Sequence, residues 1–362
     1  VITQPHTNKE IAQWLVQFGH HWNESFPNLL NIDQGRAEKM DGSESDFREL
    51  VQSFQLWDAN VEEEVLRFHK GRALQLDGNV GPATLATMAL PRCAMPDFPP
   101  PPNASFKYDD PNLQSAVESY QEYHEWRLTE GWVRNELGLY VPPPEKAEEY
   151  KKGSGSWPVG CDPERKDVHS TVAWINDSNA SSEQKAQLEE VLLKCSECEA
   201  EIGQALRIVR SNTAPQTYQH RVYYRNIPGG TIGLGWFPSP NRCNQVVEAH
   251  IDNSFRADKY TQGELLQHEF KGHCDGLDHT RGGIMNSSIG RPTKWMSWVG
   301  DPHERTKKSY FGGTDIRKPT TPVPPIPPVT PPGTPGDPLS GAVVTVTLPN
   351  GATYQFVRRL VV

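Results

Sequence analysis

In residues 1–90 the apolar positions recur at helical spacing. Ile11, Trp14, Leu15 and Phe18 lie three and four apart, as do Phe47, Leu50, Val51 and Phe54, and a third run covers 61–69. Each predicts a helix with one buried face. The stretch LDGNVGPATLATM at 76–88 reads as a turn feeding a short helix, with Pro82 in its first turn. A proline-rich stretch at 96–102 ends this unit. Residues 108–150 carry an aromatic-rich helical pattern (Tyr120, Tyr123, Trp126) and then PPPEKAEEYKKGSGS, which reads as an insertion or connector with partial structure.

Beyond 168 the pattern changes. Strands are predicted at 168–175, 222–224, 231–237 and 246–251. A long amphipathic helix is predicted at 181–209, capped by Ser181 or Ser182, with further helices at 265–274 and 302–311. Helices followed by strand, helix, strands, helix and helix is an α+β order, with a helical N-terminal domain ahead of a unit of strands and three helices. A Pro/Thr linker then leads to AVVTVTLPNGATYQFV, a hairpin pattern about Asn350-Gly351. The breaks divide the chain into a helical unit (1–97), a Pro-rich linker and insertion (98–155), a compact unit (156–314), a second Pro-rich linker (315–338) and a hairpin segment (339–362).

Composition narrows the function classes. The net charge is −9 over 362 residues, and no Lys/Arg block offers a footprint for nucleic acid. No apolar run is long enough to span a membrane, and no signal peptide is visible. Of six cysteines, Cys161, Cys195, Cys198 and Cys243 are expected to serve in structural disulfides, with three pairings open.

The chemistry concentrates in HEFKGHCDGLDH, 268–279. Three neutral imidazoles, His268, His273 and His279, can hold a catalytic metal and leave one position open. Glu269 is the natural general base, and Gly276 lets the chain swing back toward the metal. The spacing is unusual. Histidines four apart on a helix differ by about 40° around its axis, but five apart they differ by about 140°. Three routes follow. A π-bulge absorbs the surplus residue; or the helix stays straight and Glu269 becomes a ligand beside His273; or there is no metal.

HCDGLDH resembles the second half of the metzincin zinc motif H-E-x-x-H-x-x-G-x-x-H, and the Gly-Ile-Met-Asn at 283–286 resembles that clan's Met-turn, with Met285 beneath the metal. Within the clan the chain is most similar to matrixins, the matrix-metalloproteinase family. PRCAMPD at 91–97 resembles their cysteine-switch motif, departing from it at Ala94. The 76–88 stretch resembles the end of such propeptides and of peptidoglycan-binding-like domains. The resemblance implies a helical prodomain followed by a metzincin catalytic domain with a small twisted mixed sheet. It implies a Zn2+ site on His268, His273 and His279, Glu269 as base, Cys93 as the latent-state ligand, and Arg92 and Asp97 as an ion pair fixing the switch. Aligned this way, the surplus residue is Phe270 or Lys271, with Lys271 expected on the solvent face and Cys274 as a small buried residue. His250 lacks partners for a second zinc, Asp252 is a candidate Ca2+ ligand, and the family's Pro-x-Tyr is replaced by Ser287-Ser288-Ile289. The expected protein is a secreted zymogen acting on proteins or peptides, with cell-wall glycan as a candidate partner of the N-terminal domain. The alternative is a catalytically inactive cell-wall-binding or structural protein that retains a degenerate site.

Overall fold

A computed structural model describes residues 7–58, 74–134, 139–141, 143, 170–202, 205–216, 219–239, 246–280, 282–289, 292–310, 343–347 and 353–357. Residues 7–310 belong to one compact unit, and the C-terminal hairpin to another.

The chain begins with helix α1 (Asn8–Gln17). Its capping box pairs the Glu10 N–H with Thr7 Oγ1 and the Thr7 N–H with the Glu10 carboxylate, satisfying two otherwise orphaned donors. A short α2 (Gln34–Ala37), α3 (Ser45–Asp58) and α4 (Pro82–Met88) follow. The periodic apolar residues meet as anticipated: Leu15, Leu50, Val51, Phe54 and Met88 form one shielded core. The run predicted at 61–69 lies outside the described residues.

The insertion is more than a connector. Helix α5 (Pro111–Thr129) is capped by Asp110, which accepts from the Asn112 N–H at 3.0 Å, and it buries Leu113, Ala116, Val117, Tyr120 and Tyr123. A small antiparallel pair, β1 (Val133–Arg134) and β2 (Tyr140–Val141), closes it.

The remainder of this unit mixes sheet and helix. Strand β3 (Ser170–Asn176) leads into α6 (Ser182–Ala200), whose Ser181 cap and Gln184 form a second capping box. The helix predicted to continue to 209 stops at Ala200, and Ala205–Arg210 becomes strand β4. There ALRIVR places an arginine after each apolar pair, and parallel pairing with β3 captures it. Strands β5 (His220–Arg225), β6 (Gly233–Gly235) and β7 (Val247–Asp252) complete the sheet, in the order β4-β3-β5-β7-β6. All neighbours are parallel except β6, which runs antiparallel to β7 at the sheet edge.

Helix α7 (Lys259–Leu266) and α6 cover one face of the sheet, closing a core of Ile175, Leu188, Val191, Val222, Ile251 and Phe270. The last described helix of the unit is α8 (Glu304–Tyr310). Cys195 and Cys198 lie on the buried face of α6 as free thiols, which corrects the disulfide expectation for them; Cys161 and Cys243 lie outside the described residues. No described helix is long and apolar enough to cross a membrane. In the C-terminal unit, β8 (Val343–Thr347) and β9 (Thr353–Val357) pair antiparallel, with Thr347 opposite Thr353.

One buried acid on α7 gives the fold a pH dependence. Burial, reinforced by Asp301 and Asp258, pushes the Glu264 pKa up to about 8 from its ordinary 4.5. Between these values the folded chain holds a proton that the unfolded chain releases, so stability falls as pH rises through that window. The loss is at most about 1.4 kcal/mol per pH unit. Glu264→Gln should flatten the dependence. Urea unfolding at pH values near both ends of the window, for wild type and variant, checks this; parallel losses would refute it.

Candidate metal centre

Helix α7 does not end as an α-helix. Gln267–Gly272 continues it as a π-helical turn, a 3-10 turn follows at His273–Asp275, and Gly276 leaves the helix with φ +79°. The His273 N–H reaches the carbonyls of His268 and Glu269. The i→i+5 bond returns His273 to the face that carries His268, so the surplus residue is taken up inside the turn. Gly276 has the left-handed backbone that glycine adopts freely, and a side chain there would also collide with Tyr123. Met285 packs directly beneath Gly272.

The three imidazoles converge. His268 and His279 are 3.2 Å apart between their Nε2 atoms, as are His273 and His279. His268 Nδ1 lies 2.8 Å from the Ile284 carbonyl, and His273 Nδ1 lies 2.9 Å from the Leu277 carbonyl. A carbonyl only accepts, so these Nδ1 atoms carry the protons and the facing Nε2 atoms are lone pairs. Lone pairs crowded this closely repel one another unless a cation lies between them. Burial lowers the pKa of His268 and of His273 well below 6.5, and the neighbouring imidazoles lower both further. The ring nitrogens are therefore kept neutral, the form that binds metal.

Cys93 supplies a fourth ligand atom. Its Sγ is 3.5 Å from His273 Nε2, and the four ligand atoms of Cys93, His268, His273 and His279 lie within 4.8 Å of one another, all buried. Among the described residues this is the one His/Cys/Asp/Glu group with that geometry. It can hold a metal ion.

Cys93 is delivered by a strand-like segment wedged between two others. Cys93 N–H donates to the Ser287 carbonyl (2.9 Å) and Ala94 N–H to the Gly233 carbonyl (2.9 Å). In return Ile232 N–H donates to Arg92 O and Ile289 N–H to Pro91 O. The segment therefore runs parallel to β6 and antiparallel to 287–289. Arg92 pairs with Asp97, donates to Ser287 Oγ at 3.0 Å, and stacks over Phe18 of the N-terminal helices. Asp97 faces three ways: Oδ2 toward Arg92 and His20 Nε2 (3.1 Å), Oδ1 toward His279 Nδ1 (3.2 Å). Burial alone would raise the Asp97 pKa, but Arg92 and the two histidines hold it well below the usual carboxylate range.

Glu269 is fully buried beside this cluster. Among the described residues the Cys93 thiol is the polar group set against its carboxylate. Burial pushes its pKa up to about 8, only partly offset by the Cys93 thiol. Its carboxylate lies against Gly233 on β6, where any Cβ would collide with it.

Helix α5 covers the neighbouring stretch of the edge. Tyr120 stacks on Phe237 at 4.2 Å, Ser119 Oγ accepts the Phe237 N–H, and Phe237 in turn packs against the His273 ring. Arg127 forms a buried two-pronged pair with Asp278, the residue before the third ligand.

The structure thus brings together His268, His273, His279 and Cys93, with Glu269, Met285, Arg92 and Asp97 around them. Lys271 departs from expectation. It is fully buried and pairs with Asp275, whose two oxygens lie 3.0 and 2.9 Å away, because the π turn rotates it into the interior. Cys274 is buried outside the cluster, its thiol donating to Glu248 O. His250 accepts from Arg225 Nε and contacts Glu248, while the Asp252 carboxylate accepts from Ile227 N–H and Ser254. His20 and the Tyr120–Phe237 stack were not singled out from sequence, and Ser287 was noted only as part of the segment that replaces Pro-x-Tyr. Each acts through a partner more than 75 residues away, and only Gly233 and Gly235, set close to Glu269, leave a local trace. No protein-family model matches the chain, and no curated protein does.

Proposed function

We propose that the chain is a latent zinc-dependent endopeptidase of matrixin-like metzincin type, with residues 1–97 as its prosegment. The observation that carries this reading is the set of three imidazole lone pairs and one cysteine sulfur at a common centre, with a buried carboxylate alongside. Tetrahedral zinc with bonds of about 2.0–2.1 Å to nitrogen and 2.3 Å to sulfur has ligand–ligand edges of about 3.3–3.6 Å. Three of the six edges, at 3.2, 3.2 and 3.5 Å, lie close to these values and all six are within 4.8 Å, which is compatible with zinc. The ion would supply Lewis acidity, polarising a scissile carbonyl and bringing the pKa of a water molecule to about 7.

The rest of the work falls to the chain's own groups. His268 and His273 are fixed in their tautomers by backbone carbonyls, and Asp97 stands at the outer nitrogen of His279 in the latent form. Glu269, adjacent to the first ligand but outside the ligand set, accepts the proton of the attacking water and passes it to the leaving amine. The edge strand β6 offers its free backbone groups to an extended substrate by strand addition. In the latent chain residues 92–94 occupy that edge and the Cys93 sulfur takes the position water needs. Arg92 and Asp97 hold the segment in place, and α5 screens the adjoining stretch. Secretion and a protein substrate follow from this reading.

Metal analysis tests it first. Full-length protein should hold about one zinc per chain. After limited proteolysis removes the prosegment, casein cleavage should appear and be lost to a chelator. A chain that retains no metal would favour the inactive binding protein instead.

A further inference from the structure

Behind the ligand turn lies a group of charges that the proposed chemistry does not use. Lys271, Asp275, Lys307 and Glu199 are 0–1% exposed. The Lys307 ammonium on α8 contacts Asp275 Oδ2 at 2.6 Å and both Glu199 oxygens at 3.0 and 3.2 Å. It also donates to the carbonyl of Lys271 at 2.9 Å. Lys271 pairs with Asp275 on the same turn and lies 4.0 Å from Glu199. Glu199, on α6, is itself held by the indole N–H of Trp298 at 2.7 Å. Two positive and two negative groups therefore balance, in a region away from water.

Burying four charges costs several kcal/mol of hydration per ion, and apolar side chains of similar volume often serve stability as well or better. Their best-attested benefit is specification of one arrangement over another. Here the competing arrangement is evident. A regular helix would leave His273 about 140° around its axis from His268. The cluster grips the turn at both ends of the deviation: at the surplus residue, by its side chain and its carbonyl, and at Asp275, two residues past His273.

The geometry points to Lys307 and Glu199 as positioning residues for the metal centre. They clamp the π turn between α6 and α8, so that the Nε2 of His273 meets those of His268 and His279. They touch neither substrate nor ion. The inference rests on the metal-site reading above and explains why a zinc helix with one residue too many remains ordered. Lys271, one of the two positions that can count as the surplus residue, supplies its own anchor.

The test uses full-length Glu199→Gln/Lys307→Met. This removes one charge of each sign, leaves Lys271 paired with Asp275, keeps an acceptor for Trp298, and keeps an unbranched side chain against its ring. Hydrogen exchange of the metal-free protein should rise at least about tenfold over 265–277 and stay unchanged over 182–194. Zinc should be held about 10- to 100-fold more weakly, as for other supporting residues around metal ligands, and the cobalt-substituted protein should show an altered visible spectrum. A folded variant with unchanged exchange, affinity and spectrum overturns the clamp. If the double variant does not fold, Glu199→Gln alone, read by the same exchange, decides: a rise over 265–277 supports the clamp and none overturns it. A wild-type chain that takes up no zinc overturns the metal reading, and the metal-free exchange still decides the clamp.

Discussion

Glu269→Gln, in protein freed of its prosegment, should cleave casein about 10²–10⁴-fold more slowly and still bind one zinc per chain. The split between the two readouts is what matters. Glu269 lies beside His268 but is not part of the converging ligand set. His268 and His273 take their orientation from Ile284 O and Leu277 O, and the substitution disturbs neither bond. If zinc content fell together with rate, Glu269 would be a ligand rather than a base; if neither changed, the assignment would fail. A third readout follows from its burial. In the uncut chain, where Glu269 is fully buried with the Cys93 thiol beside it, Glu269→Gln removes a poorly solvated carboxyl group and should melt at a slightly higher temperature than wild type. Greater stability with lost activity is the signature of a group kept for its chemistry.

Cys93→Ser, in the uncut chain, should raise basal proteolysis about 10- to 100-fold while leaving it below that of the cut protein. On the proposed reading the sulfur would be the prosegment's contribution to the ligand set, and each 1.4 kcal/mol lost from that hold would enlarge the open fraction about tenfold. Activation should be incomplete, because the backbone pairing of residues 91–94 with Gly233, Ile232, Ser287 and Ile289 does not depend on the thiol. Arg92→Ala in the same background should release much of the remainder, since Arg92 ties the segment to Asp97 and Ser287. An uncut Cys93→Ser protein no more active than wild type would show that the sulfur is not the latent-state block.

The sequence made the candidate site legible because its parts are local. Three histidines, a glutamate and a glycine sit within twelve residues, and the PRCAMPD segment carries its own ion pair. The route by which the turn absorbs its surplus residue was not legible. Periodicity says that a straight helix fails, but the choice among alternatives depends on Glu199 and Lys307, 72 residues before and 36 after Lys271. A lysine beside a ligand reads as a solvent-facing charge unless those partners are known. The same limit applies to 181–209, where a continuous apolar pattern concealed the change from helix to strand at residue 205 that pairing with β3 decides. It applies also to α5, whose aromatic residues look like a solvated spacer until Phe237 and Asp278 are placed beneath them. The alternating and helical periods located β3, β5, β6 and β7 and helices α1, α3 and α4 to within a few residues, because there burial on one face is enough to set the conformation.

The position of Asp97 couples two things that are usually discussed apart. One carboxylate faces both the N-terminal helices, through His20 and Arg92, and the outer nitrogen of a metal ligand, through His279. Whatever the helices add to ion retention, the bound ion returns as resistance of those helices to unfolding. Excising the prosegment would therefore open the site and loosen its ion in a single event. The latent chain could be stored where zinc is scarce, whereas the cut form would depend on the free zinc of the medium in which it works.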